Sequence, residues 1–164
     1  MQFANRLSVA IISLITVFIL AFIIRYLFDK NFLLVRNISP SEPMGFYLVV
    51  KTSDIRKGDL ILFKFSKQSE FIKQGTLLLK EVICVPGDTL IVKGRNFFCN
   101  GKLIAEALSY SCKKHIPVEP FSFNGVIPQR EYFVLGKTKC SYDSRYWGFV
   151  KKEDILGKAF YLGF

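Results

Sequence analysis

A single histidine, His115, stands in the 164 residues. A Ser-His-Asp triad would have to use it, yet it lies in the lysine-rich, proline-bounded stretch KKHIPVEP. If the chain is a hydrolase, its base is therefore another residue. Four cysteines are present, with no CxxC pair and no zinc-like spacing, so neither a metal nor a cofactor is expected. No segment after residue 30 carries a long helical period. A basic helix with a clear polar face and an RNP-type aromatic motif are both missing, so nucleic acid is not an expected partner. Internal repeats and low-complexity linkers are absent as well. Acidic residues are few, 13 against 23 basic ones, for a net charge of +10.

What the chain does have is one long apolar run. Leu7 to Ile24, LSVAIISLITVFILAFII, contains 18 residues without a charge. As a helix it spans about 27 Å, close to the hydrocarbon thickness of a bilayer. Ser8, Ser13 and Thr16 are tolerable there, because a helix can satisfy their hydroxyls on its own carbonyls. A cleaved signal peptide would want a shorter apolar core and small residues at the cut, whereas this run ends in FIIRYLFDKNF. A buried core helix would show a polar face. The expected organisation is a retained membrane anchor over residues 1–28 and one extramembrane domain over 29–164. Arg6 stands on one side of the run and Arg25, Lys30 and Arg36 on the other, so the positive-inside rule does not choose an orientation. Only Arg6 and Arg25 are charged in the first 28 residues, so the rest of the chain keeps a surplus of eight positive charges. That surplus suits solubility, and also attraction to an anionic lipid surface.

The rest reads as β. Short apolar runs are punctuated by turn signals: FYLVV then KGD, LILFKF, TLLLKEVICV then PGD, TLIVKG, FFCNGKLI with Asn-Gly as a hairpin turn, EYFVLG, and AFYLGF. SKQSEFIKQG and KKEDILG each have room for a turn or two of helix. About 130 residues of mostly antiparallel sheet can enclose one core.

Two features do not fit a plain β domain. In LLLKEVICV, Lys80 shares a strand face with Leu78, Val82 and Cys84, while Glu81 points the other way. One reading is a lysine whose stem lies on the sheet while its ammonium reaches water. The other is a desolvated amine, whose charged form is disfavoured and which can serve as a general base. The second feature is SPSEPMG. Pro40 and Pro43 fix their own φ and restrict Ser39 and Glu42, and Gly45 permits a turn or a close approach. The outcome is either an ordinary proline-containing turn or a stiff loop built to hold Ser41. A held serine and a desolvated lysine together make a nucleophile and its base.

SPSEPMGFY, then KEVICVPGD some 40 residues on, then YFVLGKTKCSYDSRYWGFV, resemble the signal peptidase I superfamily of Ser-Lys endopeptidases (S26-type). The pattern Ser41, Pro43, Gly45, Tyr47 is similar to the conjugative-transfer TraF-type branch, and LGKAFYL resembles the family's closing strand. The resemblance implies a mainly β, signal-peptidase-type antiparallel catalytic domain with one N-terminal transmembrane helix. It implies Ser41 as nucleophile and Lys80 as general base. Ser39 and the Ser41 N–H would form the oxyanion hole. Ser141 would orient the lysine. Asp143 and Arg145 would form a structural ion pair, and Pro86, Gly87 and Asp88 the turn after the lysine strand, near the site. The implied substrate is a membrane-tethered preprotein or a conjugative prepilin with small residues before the cut, either hydrolysed or cyclised. The implied location is the bacterial inner membrane, single-pass, with the catalytic domain on the periplasmic side. A general type I signal peptidase shares this chemistry. A non-catalytic pilus or secretion assembly factor would keep the fold without turnover. A LexA-like self-cleaving regulator would need DNA-binding helices ahead of the domain.

Departures from the family pattern are local. Gly136-Lys137-Thr138 stands where many members have Gly-Asp-Asn, in a loop about one residue shorter. Cys84 replaces a common glycine on the Lys80 face, which would bring a thiol near the base. Glu42, beside Ser41, would discourage a basic substrate residue if it faces the cleft. Outside the cytoplasm disulfides are allowed. Cys99 and Cys112 could bridge around Asn100-Gly101, other pairings are open, and four reduced cysteines are an equal alternative.

Overall fold

The computed structural model describes residues 2–163, with side chains from residue 11 onward. The chain forms two compact units, one ending at Leu33 and one beginning at Leu34. Helix α1 runs unbroken over Gln2–Asn31. Its segment Ile11–Asn31 is long and apolar enough to cross a bilayer, and none of it is buried in protein. That exposure removes the core-helix reading. Thr16 Oγ1 donates to the Ile12 carbonyl at 2.9 Å, as a hydroxyl does when a helix must satisfy it internally.

The second unit is β throughout. Its strands are β1 (Phe32–Asn37, which starts at the end of the first unit), β2 (Gly45–Val50), β3 (Leu60–Lys64), β4 (Leu77–Cys84), β5 (Thr89–Lys93) and β6 (Asn96–Cys99). Then follow β7 (Lys102–Glu106), β8 (Asn124–Val126), β9 (Glu131–Leu135), β10 (Val150–Lys151) and β11 (Ile155–Gly163). One sheet has the order β1-β2-β11-β3-β4-β9-β10, the other β7-β6-β5-β8. Antiparallel registers join β2, β11, β3, β4, β9 and β10 in turn. Asn100 and Gly101, both at positive φ, make the β6–β7 hairpin turn that Asn-Gly predicts. SKQSEFIKQG forms no helix, and KKEDILG gives only a turn of 3-10 helix before β11. A short helix, α2 (Ser144–Trp147), was not foreseen.

The period of two along β9 explains how the core is built. Tyr132 and Val134 enter one cluster with Ile61, Phe63, Phe65, Val82 and Trp147. Phe133 and Leu135 enter a second with Leu90, Phe97, Ile127 and Phe149. A strand covered on both faces reads as a continuous apolar run, and YFVL, Tyr132 to Leu135, does. Each fully buried Phe or Val contributes about 1.5–3 kcal/mol. The strand is thereby a rigid wall between two packed layers, and β4 lies beside it.

Cys84 pairs with Cys99, and Cys112 with Cys140, with Cα atoms 6.4 and 5.5 Å apart. The Cys99–Cys112 bridge is therefore not formed, nor are the cysteines reduced. Cys99 looks inward from β6 toward β4, whereas Cys112 lies in an irregular segment that meets the 136–141 loop. Cys84, bonded in this way, offers no free thiol near Lys80.

Candidate active site

Register places the lysine. Lys80 on β4 sits opposite Ile61 on β3, with the neighbouring strand β9 on its other side. It is 3% exposed. So little exposure excludes an ammonium that snorkels to bulk water. Burial is the main force lowering the Lys80 pKa. Asp143 and Glu42 push it back up, and Arg145 lowers it further.

The serine is held by a laced loop. Asn37, at the end of β1, accepts from the Ser39 N–H through Oδ1 at 3.0 Å. Its Nδ2 donates toward the carbonyls of Ser39, Glu42 and Pro43 at 2.9–3.0 Å. Tyr47 Oη donates to the Pro43 carbonyl at 2.7 Å. The Ser41 carbonyl accepts from Lys137 N–H at 2.8 Å, which ties the nucleophile loop to the 136–141 loop. Gly45 has φ +138°, and a Cβ there would stand 2.5 Å from the Gly163 carbonyl oxygen, so only glycine lets β2 close on β11 here. Asn37 was missed as a site residue. Its signal was present, since asparagine two residues before a serine favours this Asx-type turn.

These elements bring Ser41 and Lys80 together. Lys80 Nζ donates to Ser41 Oγ at 2.6 Å. Ser39 Oγ lies 3.0 Å from Ser41 Oγ and accepts weakly from the Ser41 N–H at 3.4 Å. Ser41 and Lys80 line a cavity of about 570 Å³. Its walls include Phe71, Tyr142 and Tyr146, whose rings follow one another at 4.6 and 5.2 Å. The Cys112–Cys140 bridge is part of the same wall.

Ser141 also lines this cavity, but its buried Oγ has no hydrogen-bond partner, so the expected bond to the lysine amine is not formed in this structure. It packs instead against Gly136. A Cβ at Gly136 would collide with Ser141 Oγ and lie 3.1 Å from Ser41 Cβ. Asp143 and Arg145 form a buried ion pair, with Nε–Oδ1 2.8 Å and Nη2–Oδ2 2.9 Å. Arg145 also donates to the Ser141 carbonyl at 3.0 Å, and Asp143 accepts from Gly136 N–H at 3.0 Å. The pair thus anchors both ends of the 136–141 loop.

Pro86, Gly87 and Asp88 do form the turn after β4. Asp88 Oδ2 accepts from Val85 N–H at 3.0 Å, and its Oδ1 from Asn100 Nδ2 at 2.7 Å. None of the three lines the cavity. Four residues of strand, Glu81 to Cys84, and then Val85 separate them from Lys80, and the turn serves to connect the two sheets. Glu42 does not face the cavity either. It is 2% exposed, and neither carboxyl oxygen has a hydrogen-bond partner.

The family model for signal peptidase, peptidase S26, matches residues 6–163. A probable signal peptidase I-2 of Synechocystis sp. is 28% identical over 157 residues, covering 90% of this chain and 69% of that protein. Signal peptidase IB of Staphylococcus aureus is 29% identical over 171 residues, covering 91% and 85%. A crystal structure of a signal peptidase I from Enterococcus faecalis V583 is 26% identical and covers 64% of this chain and 96% of that one, with a TM-score of 0.43.

Proposed function

For a chain that belongs to the peptidase S26 signal peptidase family, we propose the activity of a membrane-anchored serine endopeptidase that removes leader peptides from exported proteins by a Ser41–Lys80 dyad. One observation carries this reading: the 2.6 Å contact between two buried groups, Ser41 Oγ and Lys80 Nζ, on the wall of a large cavity. With the amine neutral, the hydroxyl proton passes along that contact to Lys80 as Ser41 Oγ attacks the substrate carbonyl. The oxyanion meets the Ser41 N–H and Ser39 Oγ, which already lie side by side. Lys80 then protonates the leaving amine, and water or another amine releases the acyl group. Asp143 and Arg145 hold the loop that carries Ser141 and keeps Gly136 against Ser41. No metal or cofactor enters this chemistry.

An anchor over residues 1–28 would keep the enzyme at the membrane that holds its substrates' leaders. Two disulfides favour an extracytoplasmic catalytic domain. The finer reading, processing of a conjugative prepilin, rests on Ser41, Pro43, Gly45 and Tyr47. A general signal peptidase would use the same dyad. The test is cleavage of a co-expressed preprotein or prepilin by wild type, Ser41→Ala and Lys80→Ala, read by intact mass. Cleavage by wild type alone is expected. A product lighter than the cleaved chain by one water would show cyclisation. Equal cleavage by all three would remove the dyad, and a wild type inert on a panel of such substrates would favour an assembly factor.

A further inference from the structure

Resting on the Ser41–Lys80 reading, we infer that the substrate carries an acidic residue within about three residues of the scissile bond, and that Lys113, with Lys139 beside it, selects that residue. Among the described residues, no aspartate or glutamate lines the cavity that holds the dyad. Of the charged residue types only Lys80 and Lys113 line it. Lys80 is buried and is given to Ser41 Oγ. Lys113 is exposed, so its ammonium is the free charge on that wall. A cavity of about 570 Å³ is about 10 Å across, a span that an extended peptide covers in about three residues. A substrate side chain that close to the cut lies within reach of a lysine on the wall.

Two lysine runs meet at this wall. In the sequence each flanks a cysteine: CKKH over 112–115 and KTKC over 137–140. The Cys112–Cys140 bridge joins the runs, and both of its cysteines line the cavity. Like charges gathered in one place repel one another unless an opposite charge serves them. Two of the four lysines are engaged within the protein. Lys114 Nζ donates to the Glu70 carbonyl at 2.8 Å and lies 5.0 Å from the centre of the Phe71 ring, which fastens its run to the aromatic wall. Lys137 Nζ stands 4.0 Å from the buried Glu42 carboxyl. Lys113 and Lys139 are exposed, and neither has an ion pair with a carboxylate among the described residues. Lys139 sits between Thr138 and Cys140, which both line the cavity. A field of one sign over a cleft draws the opposite sign into it and speeds association. An anionic lipid headgroup would suit the same charges. Lys113, however, lies on the wall of the reacting cavity, where the substrate chain itself must pass.

The full chain in detergent micelles is assayed for kcat/KM on a panel of preproteins. Each of the three positions on either side of the cut carries glutamate, glutamine or lysine in turn. At one position or more, glutamate is expected to be cleaved about threefold or more faster than glutamine at low salt, and lysine more slowly. High salt should shrink that advantage. Lys113→Gln with Lys139→Gln should level the panel and keep the rate on the glutamine substrates. Lys113→Glu with Lys139→Glu should turn the preference toward lysine, a reversal that a merely structural role does not produce. Equal rates for glutamate and glutamine at every position, or a preference unmoved in both double variants, would overturn the inference. Rates that rise with phosphatidylglycerol in reconstituted vesicles and fall with loss of the lysines, on a panel without substrate preference, would give these charges to the lipid surface and overturn it as well. Peptides of the same panel are also titrated onto Ser41→Ala by fluorescence anisotropy, which needs no turnover. Tighter binding of the glutamate peptide, beside a wild type inert on every preprotein, would sink the proposed activity and leave the selectivity of the lysines standing.

Discussion

Gly136→Ala adds one carbon where Ser141 and Ser41 already crowd the backbone. The new Cβ would stand 2.7 Å from Ser141 Cβ and 3.1 Å from Ser41 Cβ. Carbon atoms in contact prefer about 3.5–4.0 Å, so Ser141 would have to retreat by about 1 Å and Ser41 by about half that. Ser141 cannot yield freely, because its carbonyl is held by Arg145 at 3.0 Å and its N–H by the Thr138 carbonyl at 3.1 Å. The displacement therefore passes to Ser41, whose bond to Lys80 is only 2.6 Å long. A misplacement on the order of 1 Å costs about 10²-fold in rate. Overpacking of this kind costs about 1–3 kcal/mol in stability, so the variant should fold at a lower melting temperature. The assay is single-turnover cleavage of a preprotein beside thermal unfolding in micelles. Ser141→Gly added to Gly136→Ala removes the atoms in collision and should return part of the lost rate, a coupling that a double-mutant cycle reads directly. A Gly136→Ala enzyme that cleaves within twofold of wild type would refute the claim that this glycine sets the dyad's spacing.

Two further outcomes follow from charge. The Lys80 pKa is lowered by burial, and the base works only when neutral. Activity should therefore be lost as pH falls through an acid limb lying clearly below the ordinary lysine value of about 10.4; a kcat/KM profile whose limb reached that value would contradict the buried amine. Arg145→Met leaves Asp143 charged, buried and without its partner, and should cost about 3–5 kcal/mol in denaturant unfolding. A loss below about 1 kcal/mol would mean that the pair is not what secures the 136–141 loop.

The strands were legible wherever a face had to be apolar. FYLVV, LILFK and EYFVL announce themselves because β2, β3 and β9 must bury one face or both. β8 and β10 were not, because three residues and two residues are too few to show a period. Helix α2 escaped for a related reason: four residues carry no helical pattern, and only Asp143, accepting from the Arg145 N–H as its cap, marks where it starts. Ser41 and Lys80 were readable as anomalies, a hydroxyl between prolines and a charge in an apolar strand. The environment of Ser141 was not, since its contact with Gly136 depends on two segments meeting in space. The disulfide partners were equally hidden. Which cysteines face each other is set by how β4 and β6 stack and by where two irregular segments meet.

Glu42 shows how a rule that holds along the strand can mislead in the loop. A carboxylate next to a nucleophile suggests a group on the rim of the cleft, open to water and to substrate charge. In this chain Pro40 and Pro43 turn the backbone, and Asn37 draws the Glu42 and Pro43 carbonyls toward β1. That lacing leaves Ser41 on the cavity wall and carries the next side chain into the protein. The same stiffness that holds the nucleophile thus forces a carboxyl into a place where it has no hydrogen bond. Burial there pushes the Glu42 carboxyl up from its ordinary value, toward the protonated form, with the positive charges of Lys80 and Lys137 acting against that shift. Holding the serine still and burying the neighbouring carboxyl are then two consequences of one loop geometry. Changes that loosen the loop, such as loss of the Asn37 side chain, should disturb both together.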